Sequence, residues 1–167
     1  AAKGAGEGAT TGAVAGAVGG MVTALVFGGD VVEVGARGAV YGGTTGAVVG
    51  GMSGSKADQA VAAQKQAESE ADLDQLRKRI GPDAVNGVAA LAECKHEVAI
   101  ANAREATKSK KSDYALAGMW VLVLAEADRQ NESEARALYP DIVKHDRNFK
   151  TEADVEAGVR EALQELG

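Results

Sequence analysis

Several things are scarce in this chain. Proline occurs twice in 167 residues, cysteine once and tryptophan once, and aromatic residues make up 4%. So little proline excludes collagen and a Pro-rich linker. A single cysteine, Cys94, excludes an intrachain disulfide framework and a cysteine-based zinc finger. Positive charge is outnumbered, 18 Lys and Arg against 24 Asp and Glu, so the net charge is −6. That balance, with a pI of about 5.0, argues against a dedicated nucleic-acid binder. The phosphate loop G-x-x-x-x-G-K-[ST], the nucleophile elbow G-x-S-x-G and the zinc motif H-E-x-x-H do not occur. Nor does a Leu/Ile-rich run of the usual transmembrane kind. The opening Ala1-Ala2-Lys3-Gly4 has neither the charged nor the Leu-rich region of a signal peptide. Small residues of this sort suit a chain from which a signal has been removed.

Glycine is abundant and unevenly placed. Seventeen of the 22 glycines fall in residues 1–54, whereas only five of the 42 charged residues do (Lys3, Glu7, Asp30, Glu33, Arg37). Two packing regimes are expected, one for each part of the chain. Within the glycine-rich part, Gly8–Gly29 is uncharged over 22 residues and Gly38–Ser55 over 18. A bilayer core needs about 20 helical residues, so the first stretch fits and the second fits in a slightly thinned membrane.

Both stretches carry glycine at every fourth position. Gly4, Gly8, Gly12, Gly16 and Gly20 form one row; Gly38, Gly42, Gly46, Gly50 and Gly54 form the other, offset by 34. The local sequence repeats too, Thr10-Thr11-Gly12-Ala13-Val14 against Thr44-Thr45-Gly46-Ala47-Val48. On a helix such a row makes a stripe without Cβ atoms, along which two backbones approach closely. In water each interior glycine costs about 1 kcal/mol relative to alanine. In lipid an unpaired backbone group costs several, which makes helix nearly obligatory. A glycine-valine strand is the competing reading. Helix is favoured because alanine is abundant and neither face alternates cleanly. The ten residues from Gly28 to Arg37 read as a turn, and the two stretches as an antiparallel hairpin. Phe27 and Tyr41 flank that turn as membrane-interface aromatics, chance placement being the plain alternative.

The doubled Gly-x-x-x-Gly-x-x-x-Gly hairpin with its Thr-Thr-Gly-Ala-Val openings resembles the glycine-zipper hairpin of bacterial outer-membrane lipoproteins, the group that includes SlyB and the rickettsial surface antigen. The resemblance covers residues 4–54. It implies a self-associating two-helix membrane hairpin, a structural role in the envelope, and packing through Gly8, Gly12, Gly16, Gly20, Gly42, Gly46, Gly50 and Gly54; Gly38 extends the second row. It also implies an outer-membrane location with a periplasmic C-terminal domain, the inner membrane being the alternative. The lipid-bearing cysteine of that group is not in this sequence, and would have to precede Ala1. The long charged C-terminal part departs from the group's pattern.

From Ser55 onward the composition is that of a soluble helical domain. One helix is expected to run from a Ser55 cap to about Ile80. Gly81-Pro82-Asp83 breaks the chain, and Asp83 is expected to cap a second helix reaching Lys108. Its inward side would carry Val85, Val88, Ala89, Ala92, Val98, Ala99 and Ala103. Lys108–Asp113 reads as a basic turn, solvated in the plainer reading and touching anionic headgroups in the other. Tyr114–Ala127, apolar on all sides but too short to span, reads as a buried helix anchored by Trp120. A helix over Asn131–Asp146 is interrupted by Pro140. Thr151 and Asp154 open the last helix as a capping box, which ends near Leu166. Trp120-x-x-x-Leu124-Ala125-x-Ala127 resembles a tetratricopeptide-like unit.

The expected architecture is all-α: residues 1–54 a glycine-zipper transmembrane hairpin, 55–81 a stalk helix, 82–167 a soluble helical domain. No catalytic, metal or cofactor site is expected. Cys94 and His96 point in different directions on one helix, and a lone cysteine there reads as core. His96, His145 and Asp146 lack a second ligand cluster. Asp128 and Glu132 stand one helical turn apart as ordinary surface carboxylates. The expected function is that of a non-enzymatic structural protein, a homo-oligomeric ring or belt in contact with membrane lipid and with another envelope complex. A channel or pore and a membrane-tethered protein-binding adaptor are the alternatives.

Overall fold

The computed structural model describes residues 18–29 and 73–166, and among these residues every regular element is an α-helix. Helix α1 covers residues 18–27 and α2 residues 73–80. Then follow α3 (Pro82–Ala92), α4 (His96–Thr107), α5 (Ser112–Asp128), α6 (Glu132–Ala137), α7 (Tyr139–His145) and α8 (Glu152–Leu166). The all-α expectation holds. None of these helices is long and apolar enough to cross a membrane.

Local chemistry sets most boundaries. Gly81 joins α2 to α3 at φ +89°, a left-handed value natural to glycine. A Cβ there would also stand 2.6 Å from the Tyr114 ring. Pro82 then occupies the first helical position, where its missing N–H costs nothing. Asp83 lies in the first turn rather than at the cap, its charge favourable to the helix dipole. Pro140 likewise opens α7.

The single helix expected from Asp83 to Lys108 is two helices. Cys94 turns the chain at φ +56°. Its N–H donates to the Leu91 carbonyl (2.9 Å) and that of Lys95 to the Ala90 carbonyl (2.8 Å). This pair of bonds is a Schellman cap. The end of α5 repeats it. Gln130 stands at φ +65°, donating to Ala127 (2.9 Å), with Asn131 donating to Glu126 (2.8 Å). Glycine usually fills that left-handed position, so the break gives no glycine signal. Breaking the helix at Cys94 also changes which face looks inward. Cys94 is exposed rather than core, and so are Val98 and Ala89.

Helix α5 is the centre of the domain. Leu116, Ala117, Trp120, Val121, Leu122, Val123, Leu124 and Ala125 are all buried, as the apolar run predicts. Helices α3 and α4 pack together, and α4 packs along α5. Gly118 permits that approach: a Cβ on it would lie 2.7 Å from the Thr107 backbone nitrogen and 2.8 Å from the Ala103 carbonyl oxygen. A smaller version occurs at Gly87, 2.9 Å from Val121 Cγ1. Polar bonds fasten the far ends. His96 Nε2 meets Asp128 at 2.7 Å. Arg129 bridges Glu97 at 2.6 Å and the buried Glu126 at 2.7 Å.

Helix α1, which comes from the glycine-rich part of the sequence, shares a core with the later helices. Val18, Met21, Val22, Ala24, Leu25 and Val26 belong to one hydrophobic cluster with Ile80, Trp120, Val155 and Ala162. Composition separates residues 1–54 from the rest, yet the end of the first uncharged stretch is part of the C-terminal core. The physical reason is that an all-apolar helix gains as much from a protein interior as from lipid. Val18, Met21, Val22 and Leu25 are at most 1% exposed. At about 1.5–3 kcal/mol for each such side chain, their burial contributes roughly 6–12 kcal/mol before entropy is counted.

Candidate functional site

The most elaborated feature is the seat of helix α1, assembled from residues distant in sequence. Gly19 faces α2 and α3: a Cβ there would lie 2.9 Å from Leu76 Cδ2 and 3.6 Å from Val88 Cγ1. Leu25 faces α8, its Cδ2 standing 3.3 Å from where a Cβ on Gly158 would be. Thr23, the buried hydroxyl of α1, donates to the Gly19 carbonyl at 2.8 Å within the same helix. Among the described residues no buried side-chain polar atom lacks a partner.

The connection between α7 and α8 closes over the end of α1. Buried Asp146 accepts from Trp120 Nε1 (3.0 Å) and from the Asn148 backbone N–H (2.8 Å). Those bonds aim Asn148 at α1, where its amide reaches the Val26 carbonyl at 3.5 Å. Phe149 tilts against Trp120 with ring centroids 4.8 Å apart, and its Cε1 lies 3.0 Å from where a Cβ on Gly158 would be. Thr151 and Asp154 fix the far end of the connection as the expected capping box. Asp154 N–H donates to Thr151 Oγ1 (3.1 Å), and the Asp154 carboxylate accepts from the Thr151 (2.9 Å) and Lys150 (3.1 Å) amides. The Thr151 side chain first, then these two amides, hold the Asp154 carboxyl below its ordinary 3.8. On α7, burial and then the Glu156 charge push the Tyr139 phenol above 10.0.

Of the expected packing and interface residues, two lie among those described. Gly20 is half-buried in α1; the close approach in that helix is at its neighbour Gly19. Phe27 ends α1, 38% exposed, with the Arg79 guanidinium 4.8 Å from its ring centroid. That is cation–π distance. Gly8, Gly12, Gly16, Gly38, Gly42, Gly46, Gly50, Gly54 and Tyr41 lie outside the described residues. Cys94 and His96 are not brought together: Cys94 is in the turn, and His96 pairs with Asp128. Asp128 thus finds a histidine rather than Glu132. His145 bonds through Nδ1 to the Asp141 carbonyl, 2.7 Å away. Among the described residues no group of three His, Cys, Asp or Glu converges on a point where a metal would sit.

An open cleft of about 790 Å³ lies beside the end of α1, lined by Val26, Phe27, Ser109, Ser112, Met119, His145 and Arg147 among others. Its lining mixes hydroxyls, one acid (Asp113), one imidazole and one guanidinium with apolar side chains. No family model, curated protein or solved structure matches the chain.

Gly118, Gly87 and Asn148 had no role in the sequence reading, and Asp146 figured there only as a helix end and a lone potential ligand. A signal for Gly118 exists: it is the one glycine in the apolar run Tyr114–Ala127. For Asp146 and Asn148 none exists, because their partners are 26 and 122 residues away.

Proposed function

We propose that this chain is a non-enzymatic structural protein of a bacterial envelope membrane. It self-assembles through its glycine rows into a homo-oligomeric ring or belt and presents its helical domain on one side. The outer membrane, with the domain in the periplasm, is the location that the glycine-zipper resemblance favours. The observation that carries the reading is the doubled glycine row within two uncharged stretches. The helical form of residues 18–27, which include Gly20, supports the helical reading of those stretches over the strand reading. The helical domain adds a scaffold whose buried polar groups serve packing: Asp146 on Trp120, and Glu126 on Arg129 and Asn131.

The test is the mass of the nanodisc-extracted protein, wild type against Gly12→Leu/Gly46→Leu. A large discrete oligomer that collapses in the double variant is the expected result. An unchanged mass would place assembly in the helical domain. A wild type that stays monodisperse in water without detergent would remove the membrane reading.

A further inference from the structure

We propose that α1 is a membrane-insertion segment stored in the core of the helical domain, so that this domain and a lipid bilayer compete for the same residues. The inference rests on the membrane reading above and specifies how it is controlled.

The geometry forces the competition. The uncharged stretch Gly8–Gly29 has 22 residues, about 33 Å as a helix at 1.5 Å per residue, enough to cross a hydrocarbon core of about 30 Å. Without the ten residues of α1 it is far too short. Yet Val18, Met21, Val22 and Leu25 are at most 1% exposed, in a core shared with Ile80, Trp120 and Val155. A side chain cannot fill that core and face lipid at once. Membrane crossing therefore requires α1 to leave its seat, and docking prevents crossing.

Helix α1 suits both places. A helix apolar all round belongs in a large core or in a membrane. Its buried hydroxyl, Thr23, is satisfied by its own backbone, so no polar bond to the domain is broken at that side chain on leaving. The ties at the helix end are light and reversible: a 3.5 Å amide contact from Asn148 to the Val26 carbonyl, and Arg79 on the Phe27 ring. On the other side, the walls of the seat are apolar (Leu76, Val88, Phe149). Vacating it would expose them and loosen the packing of Phe149 on Trp120, the chain's one tryptophan.

The test uses the full chain with vesicles of phosphatidylethanolamine and phosphatidylglycerol. Binding is read by flotation, and the seat by amide hydrogen exchange and Trp120 emission. Without lipid, residues 18–26 are expected to be protected as strongly as 116–125. With vesicles, exchange along α3 and α8 is expected to rise and Trp120 emission to shift red. Gly158→Leu places bulk against both Phe149 (3.0 Å from a Cβ there) and Leu25 (3.3 Å), at the seat of α1, while leaving the sequence of the inserting stretch unchanged. Because a stored segment lowers apparent affinity by the fraction free, this variant is expected to bind vesicles about fivefold more tightly, or better. Wild-type binding with α3, α8 and Trp120 unchanged would overturn the storage proposal and leave the membrane reading standing. That wild-type measurement decides the matter even if Gly158→Leu folds poorly. Absence of vesicle binding by both proteins would overturn both.

Discussion

Helices α1 and α5 are two apolar segments of similar chemistry in one core. Each is buried on nearly every side, and each contains a glycine pressed against another helix. They differ in what a glycine-to-alanine change would meet. At Gly118 of α5 the neighbours are two backbone atoms of α4, at 2.7 and 2.8 Å, and the Ala106 Cβ at 2.7 Å, none of which can swing away. At Gly19 of α1 the nearest atom is the end of a leucine, Leu76 Cδ2. The α4–α5 contact is thus backbone against backbone and cannot adjust, whereas the α1 contact is side-chain packing that can. A helix fixed by backbone contact is permanent architecture. The contact at Gly19, made with the end of a side chain, is the kind that the storage proposal requires.

The largest effect should come from the shared centre. Trp120→Ala removes the largest buried side chain and a partner of Asp146, at a cost of about 3–5 kcal/mol. Urea unfolding followed by circular dichroism would show it as a fall in midpoint. Next is Met21→Ala, which asks whether α1 belongs to that core. A loss of about 2–3 kcal/mol is expected, read by Trp120 fluorescence although the mutation lies 99 residues away. An unchanged midpoint would remove α1 from the cooperative unit. The glycine pair sharpens the contrast. Gly118→Ala should cost about 1–3 kcal/mol because the backbones must separate, while Gly19→Ala should stay within roughly 0.5 kcal/mol, Leu76 giving way as helix propensity improves. Equal melting temperatures for the two would erase the distinction. Cys94→Gly should act oppositely, stabilising by about 1 kcal/mol by relieving a left-handed non-glycine residue; calorimetry would measure it.

The smallest effect is that of pH on the capping box. The Asp154 carboxyl is held below 3.8, chiefly by Thr151. Its folded pKa is thus below its unfolded one, and its contribution is complete above the unfolded value and lost as pH falls through the folded one. Melting temperatures of wild type and Asp154→Asn should differ slightly at pH 6, and the difference should shrink as the pH falls from 3.8 through the folded pKa. A difference that does not shrink at all between pH 6 and the acid limit of folding would mean that the charge is not responsible.

Much of the helical domain was legible because its signals are local. The apolar run around Trp120, the Gly81-Pro82 break, Pro140 and the Thr151–Asp154 box each act within a few residues, and each stands where expected. The break at Cys94 was not legible, since a Schellman cap normally shows itself by glycine and here uses cysteine. The seat of α1 was hidden for a different reason. Apolarity and lack of charge mark a segment as avoiding water, but they do not say whether lipid or protein replaces it. What decides between them, Leu76, Val88, Asn148 and Gly158, lies 50 to 140 residues downstream and carries no local pattern.

The contact between Asn148 and the Val26 carbonyl spans 122 residues, and this separation has a consequence in time. Chains emerge N-terminus first, at about 5–20 residues per second. Helix α1 is therefore finished on the order of ten seconds before the last wall of its seat has been made. During that interval an uncharged, water-averse segment lacks its complete seat. Whatever meets it first, a holding chaperone, a neighbouring nascent chain or a membrane, has the advantage of arrival, and the fate of each copy is open to being decided during synthesis.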